Sequence, residues 1–205
     1  MGFLKRRGAK VLLIASSVLL VGVAILYWRT SRAAYETAEY TVVGSDADIE
    51  IRDYAGLVLA ETTMSTGDAS RNGSFGRLFR FITGNNSNQQ SIAMTTPVFV
   101  DPDPDDSRMA FVLPRAVTSS GAPEPTDESV ELGEFRTGRY AVLRFSGTIS
   151  EQRQDEAHAQ LLARMDELGL KALSGPQFAY YDPPWTIPSM RRNEVLVRIA
   201  DDSGI

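Results

Sequence analysis

Ile49-Glu-Ile-Arg-Asp-Tyr54, then Ala55-Gly56, then Leu57-Val-Leu-Ala-Glu-Thr-Thr-Met64 reads as two β-type runs around a short break. Working outward, Ser74 to Thr83 has a helical pattern with Gly84 as its stop. Ile92 to Val100 and Met109 to Leu113 follow as strands, separated by the turn-rich Asp101-Pro-Asp-Pro-Asp-Asp106. After a loop from Arg115 to Ser129, the same order returns. Val130 to Phe135 and Arg139 to Ser146 are strands, Ser150 to Leu168 is a helix, and Gln177 to Tyr181 and Glu194 to Ile199 are strands again. Met94-Thr-Thr-Pro97 in the first copy and Tyr181-Asp-Pro-Pro184 in the second fall at the same place in this order. A repeated unit of this kind, with mostly antiparallel strands and two helices, predicts an α+β domain with a curved or barrel-like sheet, pseudo-twofold symmetry and the helices on its outside. The halves run over about 40–114 and 130–200 of a domain spanning 34–205.

The chain has 205 residues, no Cys and one His. Without Cys there is no disulfide framework, thiolate zinc site, covalently attached haem or cysteine nucleophile. One imidazole is too few for a His-rich metal centre, and a Ser-His-Asp site would have to use His158. Charge is unevenly distributed: residues 1–32 carry +6 and no acid, leaving −11 on the remainder. An acidic body of this kind is a poor nucleic acid binder.

Val11 to Trp28 is an uncharged apolar run of 18 residues, about 27 Å long as a helix and close to the hydrocarbon thickness of a bilayer. The block 1–33 is therefore expected to be an N-terminal transmembrane helix with its flanks. Four basic residues precede the run and two follow, which places the N-terminus in the cytoplasm and the domain on the extracytoplasmic side. The alternative is a signal peptide cleaved near Ser31-Arg32-Ala33. Either reading exports the domain.

On a helical wheel Phe75, Leu78, Phe79 and Ile82 fall in one stripe with Arg77 and Arg80 opposite. The stripe reads as a face covering a sheet, or as the wall of a pocket for a large flat ligand whose carboxylates pair with arginine. His158 lies on the apolar arc of the second helix, either as a hydrogen-bonded histidine at the core edge or as an axial ligand to a haem iron. The acidic run Asp101 to Asp106 is broken by two prolines and reads as a solvated turn. No glycine-rich phosphate loop, HExxH or GxSxG is present.

Phe75-Gly-Arg-Leu-Phe-Arg-Phe-Ile-Thr-Gly84, Ile92-Ala-Met-Thr-Thr-Pro-Val98 and Tyr181-Asp-Pro-Pro-Trp185 with Arg191-Arg-Asn-Glu-Val195 together resemble the SOUL haem-binding protein family, from about Tyr40 to Ile199. The resemblance implies a distorted antiparallel β-barrel flanked by two helices with internal duplication, in agreement with the repeat, and non-covalent binding of haem or another tetrapyrrole. It carries over Phe75, Leu78, Phe79 and Ile82 as the groove, with Met94 and Trp185 as neighbours and Arg77 or Arg80 meeting ligand carboxylates. No histidine lies in or near the first helix, so the imidazole ligand of the histidine-using members has no counterpart there. The ligand is expected to be held mainly by apolar contact, with His158 on the second helix as a separate candidate for the metal. Arg191, Arg192, Asn193 and Glu194 are expected to be structural. The expectation is a membrane-anchored tetrapyrrole-binding domain, acting as carrier, buffer or sensor and not as an enzyme. The alternatives are an envelope module for another apolar ligand or a partner protein, or an enzyme acting on tetrapyrroles.

Overall fold

β-branched and aromatic residues at alternate positions bury both faces of most strands in this protein, and that requires a layer on each side of the sheet. The computed structural model describes residues 34–64, 68–103 and 105–201, together with Gly22. The expected anchor at 11–28 lies outside the described residues apart from that glycine. No helix among the described residues is long and apolar enough to cross a membrane.

In chain order the strands are β1 (Glu36–Thr37), β2 (Thr41–Asp46), β3 (Ile49–Tyr54) and β4 (Leu57–Thr63), then helix α1 (Asp68–Ile82). They continue with β5 (Thr95–Thr96), β6 (Val98–Asp101), β7 (Arg108–Val112), the single turn α2 (Arg115–Thr118), β8 (Glu131–Phe135) and β9 (Gly138–Phe145). Helix α3 (Glu151–Glu167), β10 (Ala172–Tyr180) and β11 (Asn193–Ile199) complete the order. Ser150 caps α3, its side chain accepting from the Arg153 amide. Gly84, at φ 115°, and Gly169, at φ 68°, follow the two long helices where the chain must leave in a left-handed conformation.

Among the described residues nine strands form one antiparallel sheet in the order β2-β3-β9-β11-β10-β6-β7-β4-β8. Matching β3, β4, β6 and β7 to β8, β9, β10 and β11 makes the order from β3 to β8 read the same from either end. The helices obey the same relation, α1 lying on β4 and β7 and α3 on β9 and β11. The proline elements do not. Pro97, behind a cis peptide bond, precedes β6, whereas Pro183 and Pro184 follow β10. The counterpart of the Tyr181 loop is instead the acidic turn between β6 and β7.

β3 and β4, joined by two residues, do not pair with each other. β3 pairs with β9 and β4 with β8, and the register Ile49↔Leu143, Tyr54↔Gly138, Leu57↔Phe135, Glu61↔Glu131 is one unbroken series. The two halves therefore exchange arms along a single ribbon. The sheet also curls: β6 and β8 lie three strands apart, roughly 14 Å if flat, yet Phe99 and Phe135 stack with centroids 4.6 Å apart. The result is a half-barrel. Leu78, Phe81, Ile82, Ala157, Leu161 and Met165 cover its outer face, while Tyr54, Leu59, Phe99, Phe135, Tyr140 and Leu196 fill the inner one.

One end of the inner face is closed by charge. Glu194 on β11 is fully buried and accepts from Arg52 of β3 through two bonds, Nη1 at 2.7 Å and Nη2 at 3.0 Å. Arg192 Nε donates to it at 2.8 Å and the Tyr181 hydroxyl at 3.0 Å. Arg52 stacks over Tyr40 at 4.1 Å and Arg192 over Tyr181 at 4.0 Å. Asn193 and Arg191 serve the loop, donating to the carbonyls of Gly147 and Thr186. Burial alone would raise the Glu194 carboxyl, but the two guanidiniums outweigh it and hold the group below its ordinary value. Burial pushes the Tyr54 phenol up to about 12, so it stays protonated.

Replacing Glu194 with Gln takes the shared carboxylate from the buried Arg52, which keeps Glu50, and from the part-buried Arg192, and should cost about 3 kcal/mol in urea unfolding. Because the folded value of Glu194 lies below the unfolded one, its stabilisation is complete above the ordinary 4.5 and is lost as pH falls through the folded value. Urea midpoints measured between about pH 7 and pH 3 should drop below pH 4.5, with a smaller drop in Glu194→Gln.

Candidate functional site

α1 presents its residues differently from the stripe read on the wheel. The buried arc runs through Ser74, Leu78, Phe81 and Ile82, all 3% exposed or less. Arg77 sets this rotation. Its Nε donates to Thr62 Oγ1 at 3.0 Å and its Nη2 to the Thr63 carbonyl at 2.6 Å, while the Ser74 hydroxyl donates to the same carbonyl at 3.2 Å. Phe81, absent from the expected stripe, takes the inward place. Phe75 and Phe79 are left on the flank, 39% and 47% exposed, respectively.

These two rings lie nearly parallel, 15° apart with centroids 6.0 Å apart, and Phe75 rests against Phe111 in an edge contact at 5.1 Å. One ring is thus backed by the core while its partner stands further out. Arg80 is exposed beside them, 3.6 Å from Asp127. A surface ion pair at that distance is weak and can be exchanged for another carboxylate. Arg77 differs, since its donors are committed to β4 and Ser74.

Of the residues singled out in the sequence, the structure brings Phe75 and Phe79 together and places Leu78 and Ile82 beneath them in the core. Met94 is half-buried against that same core, on the helix side of the sheet. Trp185 sits in the β10–β11 loop, 66% exposed and without ring contact to either phenylalanine. His158 is on α3, which packs on β9, β10 and β11, not on the strands beneath α1. Burial lowers its pKa, with Asp155 opposing, so the imidazole is neutral near pH 7. Among the described residues no group of three or more His, Asp or Glu is placed to hold a metal ion.

The donor set at α1 fits a flat macrocycle held by its face. Two near-parallel rings offer a stacking surface, and an adjacent guanidinium can meet a carboxylate. No imidazole lies on α1 to reach the centre of such a ligand. The exposed pair was legible in the sequence as part of a stripe. The exchange of Phe81 for Phe79 at the core was not, because both flanks of the helix carry aromatic residues.

A search of curated proteins found no match. Among solved structures, the C-terminal domain of EcmrR matches with a TM-score of 0.54 at 10% identity, over 79% of this chain and 98% of that one. EcmrR in its complex with DNA matches at 0.56 and 9% identity, over 96% of this chain and 69% of that one. An uncharacterised conserved protein from Listeria innocua matches at 0.50 and 13%, over 75% and 92%. At such identities the likeness is one of fold alone. The family model described as SOUL heme-binding protein matches residues 35–198, which takes in every described strand and helix from β1 through β10 and nearly all of β11. The chain belongs to the SOUL haem-binding protein family.

Proposed function

We propose that the protein binds haem or a related tetrapyrrole non-covalently on the exposed face of α1, as a carrier, buffer or sensor. The observation that carries this reading is the near-parallel pair Phe75 and Phe79, exposed on a helix otherwise committed to the core. Family membership supports the ligand class. A macrocycle face laid on these rings, with Arg80 turning from Asp127 to a propionate, is held mainly by apolar contact. Removing roughly 500 Å² of apolar surface from water at about 25 cal/mol per Å² gives roughly 12 kcal/mol before association costs, enough for micromolar affinity. Met94 and Trp185 remain proposed neighbours, and His158 the proposed ligand should iron take one from the protein.

Binding is favoured over catalysis by the state of the most deeply buried carboxylate among the described residues. Glu194 is locked between two guanidiniums and held low, unlike a general acid or base poised near neutral pH. We further propose that residues 11–28 tether the domain to a membrane, with the domain on the extracytoplasmic side.

Titrating the full chain with haemin should give a saturable one-to-one Soret shift. Phe79→Asp, at an exposed position, should weaken it at least tenfold with the thermal melt unchanged, and His158→Ala should leave it alone. Loss in His158→Ala instead would move the site to α3. No saturable shift in the native chain would sink the reading in favour of an envelope module for a partner protein.

A further inference from the structure

At the end of the inner face opposite the Glu194 cluster, the half-barrel opens into a pocket of about 470 Å³, within the range of small-molecule sites. It shares no lining residue with α1. Leu59, Phe135 and Tyr140 form apolar wall, and Leu173 stands at the edge, 55% exposed.

The charged groups facing this space are unevenly committed. Glu61 is paired to Arg108 at 3.0 Å. Asp103 accepts the amides of Asp105 and Asp106, and Asp101 Oδ1 accepts that of Asp103. Glu134 is exposed on the edge strand β8. Arg198, by contrast, is part-buried and lines the pocket, yet its guanidinium has no hydrogen bond or ion pair among the described residues, and its Nε is buried without an acceptor. Gly138 makes the room: a Cβ there would come within 3.0 Å of that Nε. Arg136, also in the lining, adds a second cation. Both guanidiniums oppose the burial that raises the neighbouring Tyr140 phenol.

A part-buried guanidinium with an unsatisfied N–H is costly and is normally compensated by an acceptor. We propose that this pocket is a second ligand site, taking a small organic carboxylate with a flat apolar body. Its carboxylate pairs with Arg198 and its apolar part lies on Tyr140, Phe135 and Leu59. Of the four acids in the lining only Glu61 is ion-paired among the described residues, to Arg108. Asp101 and Asp103 accept neutral backbone amides, so these two and Glu134 oppose an anion, and Arg198 with Arg136 must offset them. The site lies on the inner face and does not depend on tetrapyrrole binding at α1.

The test is calorimetric titration of the full chain with 2-naphthoate and with its neutral counterpart 2-naphthamide. One-to-one binding of the carboxylate, at least tenfold tighter than the amide, is expected. Arg198→Gln should weaken naphthoate at least tenfold, and Leu173→Trp, at an exposed position, should weaken it by narrowing the entrance. Phe79→Asp should leave it unchanged, and haemin should not compete. Equal binding of acid and amide, no saturable binding, no effect of Arg198→Gln, or loss on Phe79→Asp would each overturn the proposal. Failure of haemin to bind while naphthoate still does would reject the α1 reading and leave this one standing.

Discussion

The Glu194 carboxylate, gripped by Arg52 across the intervening strand β9 and by Arg192 on its own strand, is the constraint on which the inner face depends. It draws in Tyr40 from the segment before β2 and Tyr181 from just after β10, so segments from the two halves of the chain, 142 residues apart at Arg52 and Glu194, meet at one charge. A buried ion pair of this kind contributes little net stability against an apolar replacement, but breaking one side of it is costly. Its value here is in specifying register. Slipping β3 by one residue would send Arg52 to the helix side and leave Glu194 without its bidentate partner.

Along β11 the inner-facing positions run Glu194, Leu196, Arg198. The strand thus carries a carboxylate satisfied several times over at one end and a guanidinium left unsatisfied at the other, with aromatic packing between them. That asymmetry lies within a sheet whose strand order is symmetric. Duplication set the framework, and divergence of side chains gave its two ends different chemistry. The outer face has diverged likewise, with Phe75 and Phe79 on one helix and His158 with Leu162 on the other.

Most strands and both long helices were legible in the sequence because each buries a periodic apolar set. β3, β7, β8, β9 and β11 fall within a residue of their expected bounds. β2 was not legible, since Val42 and Val43 are both exposed and leave no alternation to read. α1 begins six residues earlier than the pattern suggested, through a polar stretch that has no stripe. The Ile92–Val100 run is broken at Pro97, which cannot donate to a ladder. The family motifs identified Arg191 to Glu194 as structural, and their hydrogen bonds lie in the loop and the buried cluster. The partner of Glu194, however, lies 142 residues away at Arg52, a separation at which no local pattern exists. The Arg198 pocket was invisible for the same reason, being assembled from β4, β6, β8, β9, β10, β11 and adjoining turns.

The arm exchange along the β3–β4 and β8–β9 ribbon has a consequence for how such a chain arose. Neither half can satisfy its own strands: cut free, each would expose an arm whose partner belongs to the other half. A gene encoding only one half would yield a stable product by pairing with a second copy of itself in an isologous dimer. Fusion of two such genes would convert an intermolecular exchange into an intramolecular one, removing the concentration dependence of assembly and freeing each end of the barrel to evolve separately.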